Sequence, residues 1–323
     1  TITVVAVTMS LFHLYVAYFG PPNAFTLRAT HFGFALVLAY LSLPMFASRQ
    51  GKAPTPLDWL FLVGSLAASA YPIVEQQYFN TRMAYVGPVS ATDISFAILM
   101  IVVVLEGTRR AIGPILPITA LIFLGYQVFF TNTHLIRLLE YQYMTTDALF
   151  GIPAQVSATY VVLFVIFGDL ANVMTTGTFT IPLMKRIGYP PHFAGAVEAV
   201  ASTGGQIMPP IMGAAAFVMA EFLGVSYLKV AAFALLPALL YYLAVFLAVH
   251  FEAKKQGLKG LPQADLPRVG EVLRERGHLF LPLFIIIGTL MSGFSAPFSA
   301  LMGILSVVPV VLMRSTTRSE FTM

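Results

Sequence analysis

The residues best suited to chemistry lie in one apolar stretch, 194–223. Its polar side chains recur every fourth residue and therefore share one face of a helix: Glu198, Ser202 and Gln206. Two pairs of helix-breaking residues interrupt it, Gly204-Gly205 and Pro209-Pro210. In a bilayer, a break is tolerated only where protein or a polar cavity surrounds it, because lipid offers no partner to the freed backbone groups. The pattern predicts a broken helix that lines a substrate or ion site. A kinked helix whose small residues serve packing alone is the alternative.

Such a break would carry oxygen ligands. Unwinding at Gly204-Gly205 would free backbone carbonyls, and hydroxyl groups lie near it in the sequence: Thr175, Thr176, Ser202 and Thr203. Hard cations such as Na⁺ prefer such oxygens, so the expected Na⁺ ligands are Thr175, Thr176, Ser202 and Gly204. The positive N-terminus of the half-helix after the break could face an anion.

Glu198 is the acid within this site. An ionisable side chain inside a span is costly, so a functional role is the first hypothesis. Glu198 could carry a coupling proton or neutralise a bound cation. A carboxylate near the cytoplasmic end of its helix, still in contact with water, is the other interpretation. Hydroxyls and carbonyls favour Na⁺ as the coupling ion, whereas Glu198 favours H⁺.

Enzyme chemistry has little support in this sequence. It contains no cysteine, which excludes thiolate nucleophiles and cysteine metal sites. It contains no HExxH motif, nucleophile elbow or phosphate-binding glycine loop, and its six histidines lack metal-ligand spacing. We therefore expect no catalytic residue, no cofactor and no enzymatic activity. His13, inside the first apolar run, is expected to be a hydrogen-bonded packing residue.

The composition indicates a protein of the lipid bilayer. Of its 323 residues, 58% are hydrophobic and only 10% are charged. We predict an all-α integral membrane protein with about ten transmembrane helices. The apolar segments are 1–19, 32–47, 57–79, 85–105, 112–130, 149–168, 194–223, 227–250, 279–293 and 295–313. The acids near span ends are expected at the interface: Glu75, Asp93, Glu106 and Glu221.

The basic residues predict the orientation. One set of alternate loops holds 14 of the 18 Lys and Arg residues. This set belongs in the cytoplasm by the positive-inside rule, which places both chain ends there. The protein is thus expected to be a multi-pass protein of the inner (cytoplasmic) membrane. The formal charge of +4 is not the basic footprint of a nucleic-acid-binding protein.

Four regions follow from these patterns. Residues 1–139 form compact pairs of spans, 140–250 begin a second unit, 251–278 form a cytoplasmic linker, and 279–323 add further membrane helices. Residues 169–184, DLANVMTTGTFTIPLM, are too polar and too short to cross the bilayer. They predict a re-entrant arm beside the broken helix. An ordinary interfacial loop is the alternative.

Several tracts resemble a known family. The tract from Ala171, ANVMTTGTFTIPLMKRIGYPPHFAGAVEAVASTGGQIMPPIMGAAAFVMAEFLGVSYLKVA, is similar to the signature region of fused permeases of tripartite ATP-independent periplasmic (TRAP) transporters, in particular the TAXI-associated type. Further similar tracts are FHLYVAYFG, LEGTRRAIGPILPI, LFGIPAQVSATYVVLFVIFG and PALLYYLAVFLAVHFEAKKQGLKGLP. The resemblance covers most of the chain and is most specific over 171–260.

The resemblance implies an elevator-type secondary transporter with inverted repeats. Residues 1–139 would correspond to the small membrane subunit. A periplasmic TAXI-type solute-binding protein would deliver a small organic anion, and a Na⁺ or H⁺ gradient would drive its uptake. One arm of the first hairpin would contribute Asn172, Thr175, Thr176 and Gly177 to the site. The unwound helix would contribute Ser202, Thr203, Gly204, Gly205, Pro209 and Pro210.

The sequence departs from this family pattern at two points. About forty residues that the family places before the second hairpin arm are missing after Gly168. The sequence also ends where the family would begin its second inverted half, so we expect at most half of the site here, whether the sequence is a fragment or a deleted form. Two other function classes stay open. One is a membrane scaffold without transport activity, and the other is a membrane-embedded enzyme that uses Glu198.

Overall fold

The computed structural model describes residues 2–45, 55–131, 133–175, 180–258, 270, 273–274 and 277–313, and for 169–175 it describes the backbone alone. These residues form helices and turns, with no strand among them. The all-α membrane fold expected from the composition is confirmed. The chain divides into two compact units, Thr1–Ala158 and Thr159–Met323.

Within the described residues, the first unit contains eight α-helices. They are α1 Ile2–Phe19, α2 Ala24–Ser42, α3 Pro56–Val74, α4 Gln76–Thr81, α5 Ala91–Ile112, α6 Ile115–Phe130, α7 Leu135–Met144 and α8 Ile152–Val156. Capping boxes start two of the long helices, Thr55 with Asp58 at α3 and Ser90 with Asp93 at α5. In each, two backbone N–H groups that have no partner within the helix gain side-chain acceptors.

Helix α2 lies at the centre of this unit and packs against α1, α3 and α5. The core consists of apolar and aromatic side chains, among them Phe25, Tyr40, Met100, Tyr143 and Phe150. Helix α6 lies outside this core, since one of its sixteen residues, Pro117, is buried and the other fifteen are not.

The second unit begins in a short π-helical turn, Ser157–Val161. Its further helices are α9 Val162–Thr175, α10 Thr180–Ile187, α11 Pro191–Gly204, α12 Ala214–Leu223, α13 Tyr227–Lys255, α14 Leu281–Met291 and α15 Ala296–Leu312. A 3₁₀ turn, Gly277–Phe280, precedes α14. Helix α15 packs against α14 and α9, while α11 packs against α10 and α13.

The helix lengths refine the predicted spans. Within the described residues, five helices are long and apolar enough to cross a membrane: α1, α2, α3, α5 and α13. The other apolar helices are shorter: 115–130, 152–168, 214–223, 277–291 and 296–312. The predicted start of the second span at residue 32 is wrong, because α2 begins at Ala24, where the Asn23 side chain accepts from the Thr26 N–H. Arg28 and His31 do not delay this helix, since both are buried on protein partners.

Parts of the predicted organisation stay predictions. Most of the linker 251–278 lies outside the described residues, although α13 extends into it as far as Lys255. Around the predicted re-entrant arm, α9 runs to Thr175 and α10 starts at Thr180. The four region boundaries, the re-entrant course of the arm and the orientation of the chain ends are carried forward as expectations.

Candidate functional site at the broken helix

The stretch 194–223 is broken as the glycine and proline pairs predict. Helix α11 ends at Gly204 and α12 begins at Ala214. The Pro209–Pro210 peptide bond in the connecting turn is cis. The turn closes on itself, because the Gly213 N–H donates to the Gln206 carbonyl at 2.8 Å. The break is thus a compact turn with its own hydrogen bonds.

Position 204 needs a glycine because α13 approaches the end of α11 closely there. A Cβ atom on Gly204 would lie 2.6 Å from Cε1 of Tyr241 and 3.0 Å from Cζ of Tyr242. The Tyr241 hydroxyl donates to the Val200 carbonyl at 2.8 Å, and the Tyr242 hydroxyl donates to the Ala201 carbonyl at 3.1 Å. Two tyrosines therefore satisfy carbonyls in the last turn of α11, where intrahelical donors run out.

A third tyrosine holds the far side of the turn. The buried Tyr227 hydroxyl donates to the Pro210 carbonyl at 2.6 Å and accepts from the Met212 N–H at 3.2 Å. Its ring stacks on Phe217 of α12, with centroids 4.3 Å apart. Sequence reasoning missed Tyr227. The available signal was a tyrosine one residue after the Ser226 cap of α13, close in sequence to a stretch whose backbone groups need partners.

The predicted polar residues lie on or next to the end of α11. Glu198 is half-buried, whereas Ser202 and Thr203 are exposed. The Thr203 hydroxyl donates back to the Ala199 carbonyl at 2.9 Å. Gly205 is exposed, and Pro209 and Pro210 are half-buried in the turn. The predicted site residues fall into two groups, one on the hairpin arm and one at the broken helix. The structure places the second group together, at the end of α11 and in the turn that follows it.

The carbonyls expected to be freed by unwinding already have donors. The carbonyls of Ser202, Thr203 and Gly204 accept from the N–H groups of Gly205, Gln206 and Ile207, each at 3.1 Å. The expectation that unwinding leaves them unpaired is wrong, because the turn keeps i to i+3 bonds. Each carbonyl oxygen retains a second lone pair with which it could meet a cation.

Only part of the predicted hairpin arm lies within the described residues. Asn172 and Thr175 lie on α9, but their side chains fall outside the described residues, as do Thr176 and Gly177 entirely. One contact does join the arm to the broken helix. The Thr180 hydroxyl of α10 donates to Oε2 of Glu198 at 2.5 Å. Glu198 therefore has a hydroxyl partner from the neighbouring helix.

A second acid in this unit also has a hydroxyl partner. Glu221 of α12 accepts from the Tyr160 hydroxyl at 2.8 Å, and the Tyr160 ring stacks on Phe217 with centroids 4.9 Å apart. The stack of Tyr160, Phe217 and Tyr227 ties the π-helical turn, α12 and α13 together. Sequence reasoning placed Glu221 at an interface and did not find this pairing.

Polar side chains of the first unit form clusters in which they pair with one another. Arg110 pairs with Asp58 at 2.5 Å and with Glu106 at 2.8 Å, while Arg82 pairs with Glu140 at 2.7 Å. Asp93 lies in the first turn of α5, near the end of a span as expected, and its carboxylate is fully buried and accepts from the hydroxyls of Tyr71 and Tyr78, at 2.7 and 2.9 Å. These contacts tie helix ends together.

His13 forms a hydrogen-bonded chain inside the first unit. Its Nδ1 lies 2.7 Å from the Met9 carbonyl, and its Nε2 lies 3.0 Å from Nδ1 of His31. His31 Nε2 continues the chain to the Ser157 hydroxyl at 2.9 Å. This agrees with the packing role expected for His13. No group of three His, Cys, Asp or Glu side chains in the described part of the chain could hold a metal ion.

Comparison with known proteins finds one similarity, which lies in the second unit. Residues 169–323 match the family described as tripartite ATP-independent periplasmic transporter, DctM component. No curated protein and no solved structure matched the chain. The matched family is the membrane permease component of TRAP transporters, a transporter family and not an enzyme family. With the apolar helices, the match supports a multi-pass protein of the inner membrane, in which residues 169–323, including the broken helix, are similar to a TRAP transporter permease.

Proposed function

We propose that this chain is the permease component of a secondary active transporter. It takes up a small organic acid that a periplasmic solute-binding protein of the TAXI type delivers, and an ion gradient drives the uptake. The observation that carries this proposal is the break between Gly204 and Ala214, which lies inside the matched family region and has polar side chains beside it. Broken helices are the recurring binding elements of secondary transporters.

The proposed cation site uses oxygen atoms on both sides of the break. Its ligands are Ser202 and Gly204 from α11 and Thr175 and Thr176 from the arm. Ser202 is exposed at the helix end, and the arm reaches α11 through the contact of Thr180 with Glu198. The remaining proposed contacts to substrate or cation are Asn172, Gly177, Thr203, Gly205, Pro209 and Pro210.

The organic anion is proposed to bind beside this cation. The N-cap residue of α12 is Gly213, which supplies no side-chain cap, and the first N–H groups of any helix lack intrahelical acceptors. The positive end of α12 therefore suits a carboxylate. The nearby Glu198 is proposed to carry the coupling charge, either as a proton carrier or as a partner of the cation.

Uptake into proteoliposomes tests the proposal. A complete permease with this region and its binding protein would be reconstituted, and a Na⁺ or an H⁺ gradient imposed separately. We expect one of the two gradients to drive accumulation of a carboxylate. Glu198→Gln and the double substitution Thr175→Ala/Thr176→Ala should lower the initial rate at least about tenfold, the effect of losing about 1.4 kcal/mol at the site, while the amount of folded protein stays constant.

Glu252→Gln is the matched control for Glu198→Gln. Glu252 lies near the end of α13, where its partners are Lys255 and Gln256, far along the chain from the break. Its uptake should equal that of the parent protein. Gradient-driven uptake that is the same in both site variants and in the control would show that the site lies elsewhere. Reconstitution of this exact chain that gave neither uptake nor ligand binding would favour the scaffold interpretation.

A further inference from the structure

A groove with apolar walls lies beside the break in the second unit. The turn after α11, helix α12 and the first two turns of α13 enclose a volume of about 570 Å³. Ten of its twelve lining residues are apolar, and the other two are Gln206 and Lys229. The turn that forms one wall is held by the contacts of Tyr227 with Pro210 and Met212. The groove therefore has fixed walls.

The apolar walls of this groove are open on one side. Met219 and Leu223 of α12 and Phe233 of α13 line it, and their side chains are 50%, 65% and 74% exposed. Helix α13 is one of the helices that can cross the bilayer. Exposed apolar side chains on such a helix meet acyl chains, because water is absent from the hydrocarbon region. A lipid tail can therefore enter the groove from the side.

Lys229 supplies the charge at this groove. It lies in the first turn of α13, its side chain is exposed, and within the described residues no ion pair joins it to a carboxylate. The 29 residues of α13 span about 43 Å, whereas the hydrocarbon core is about 30 Å thick. The ends of this helix therefore lie at headgroup level, where a lysine attracts anionic lipid.

We propose that this groove binds one anionic phospholipid. The phosphate pairs with the Lys229 ammonium and accepts from the Gln206 amide. One acyl chain lies along Met219, Leu223 and Phe233. The positive charge of Lys229 complements the phosphate, and the apolar walls of the groove suit an acyl chain. This lipid site does not depend on the proposed transport function.

The position of Gln206 gives this lipid contact with the break itself. The Gln206 carbonyl accepts the N–H of Gly213, which closes the turn, and its Cβ lies 3.2 Å from where a Cβ on Gly213 would be. A lipid that engages the Gln206 side chain therefore contacts the turn between α11 and α12. Gln206 lies beyond the end of α11 at Gly204 and lines the groove. It therefore does not continue the helical stripe predicted for it with Glu198 and Ser202. The groove is a lipid site adjacent to the candidate transport site.

Photolabelling tests the proposal without any transport assay. The full chain would be placed in phosphatidylcholine nanodiscs with a trace of diazirine-bearing phosphatidylglycerol. Labelled peptides would be mapped after chymotrypsin digestion, because substitutions of Lys229 remove a trypsin site. We expect label on peptides that contain Leu223 or Phe233. Lys229→Gln should lower this labelling about fivefold, the factor that one interfacial lysine contributes on an anionic surface, and Lys229→Arg should retain it.

Two further variants separate charge from shape. Lys254→Gln removes the same charge at the other end of α13 and should leave the labelling of these peptides unchanged. Ala216→Leu fills part of the groove while Lys229 remains, and should lower the labelling by both phosphatidylglycerol and phosphatidylcholine probes. Size-exclusion profiles would confirm that each variant is folded. Equal labelling of Lys229→Gln and parent protein, or equal labelling by the two lipid probes in the parent, would overturn the proposal.

Discussion

The two units treat their polar groups differently. In the first unit, several ionised side chains are buried against a close partner of opposite charge or several hydrogen bonds, as at Arg110 and Asp58. In the second unit, the polar side chains beside the break are exposed or half-buried, as at Ser202 and Glu198. Both kinds of residue stand out in an apolar sequence. The difference shows that a polar residue inside a membrane protein indicates a binding site only when its side chain remains accessible to a ligand after its contacts within the protein are made.

The cluster around Arg110 illustrates the first case. Its guanidinium is fully buried, pairs with Asp58 and Glu106, and donates to the Leu43 carbonyl at 3.1 Å. It also lies over the Tyr40 ring, 4.8 Å from the centroid. Such a group joins α2, α3 and α5. The Arg110 Nη2 atom makes no hydrogen bond within the described residues, but it is buried and is not exposed to a ligand.

The largest effect is expected from removing this guanidinium. Arg110→Met leaves the buried Asp58 carboxylate without its cationic partner, which costs about 3–5 kcal/mol of unfolding free energy. Glu106 keeps its pair with Arg109. Glu198→Gln, in the other unit, should change stability by less than about 0.5 kcal/mol, because the amide is nearly isosteric and the site is half open. Unfolding in mixed detergent micelles, followed by circular dichroism, measures both. Equal costs would remove the distinction between the units.

A smaller effect is expected at the close contact of α11 with α13. Gly204→Ala places a Cβ 2.6 Å from the Tyr241 ring, so the helices must separate, at a cost of about 1–3 kcal/mol. Gly195→Ala is the matched control on the same helix, since a Cβ there meets nothing within 4 Å. It should stabilise the helix by up to about 1 kcal/mol.

The same unfolding assay measures both glycine variants. If Gly204→Ala were as stable as Gly195→Ala, the break would not need the close approach of the tyrosines, and the glycine pair would serve only the turn. A loss confined to Gly204→Ala would show that the end of α11 is a packed structural feature. The exposed side chains beside it would then remain the candidates for binding.

The sequence predicts the break but not how its backbone groups are satisfied. Paired glycines and prolines in an apolar stretch place the end of α11 within a residue, because helix breakers act locally. The partners Tyr227, Tyr241 and Tyr242 come from a different helix, and no local pattern links them to Val200, Ala201 or Pro210. The predicted start of α2 at residue 32 is wrong for the same reason. In the sequence, Arg28 and His31 indicate a polar segment outside the span, because their partners near Phe150 and Ser157 lie far along the chain.

The smallest effect is expected from acid, acting on Glu140 at the edge of the first unit. Burial raises the pKa of this carboxyl, but hydrogen bonds from the Tyr85 N–H and the Arg82 guanidinium, both at 2.7 Å, outweigh it, so the pKa lies below the ordinary Glu value. A lowered pKa in the folded state contributes stability that is complete above the ordinary Glu pKa. This contribution is lost as the pH falls through the lowered value.

Glu140→Gln isolates this contribution from those of the other acids. The parent protein should lose unfolding free energy between neutral pH and the lowered Glu140 pKa, and the variant should start lower and lose less over that interval. The difference between the two unfolding curves against pH measures it. The change should be smaller than for Arg110→Met, because protonation leaves the side chain and part of its hydrogen bonding in place. Parallel curves would mean that the pKa of Glu140 is the same in the folded and the unfolded state. The contacts of Glu140 with Arg82 and Tyr85 would then stabilise the first unit through packing and not through charge.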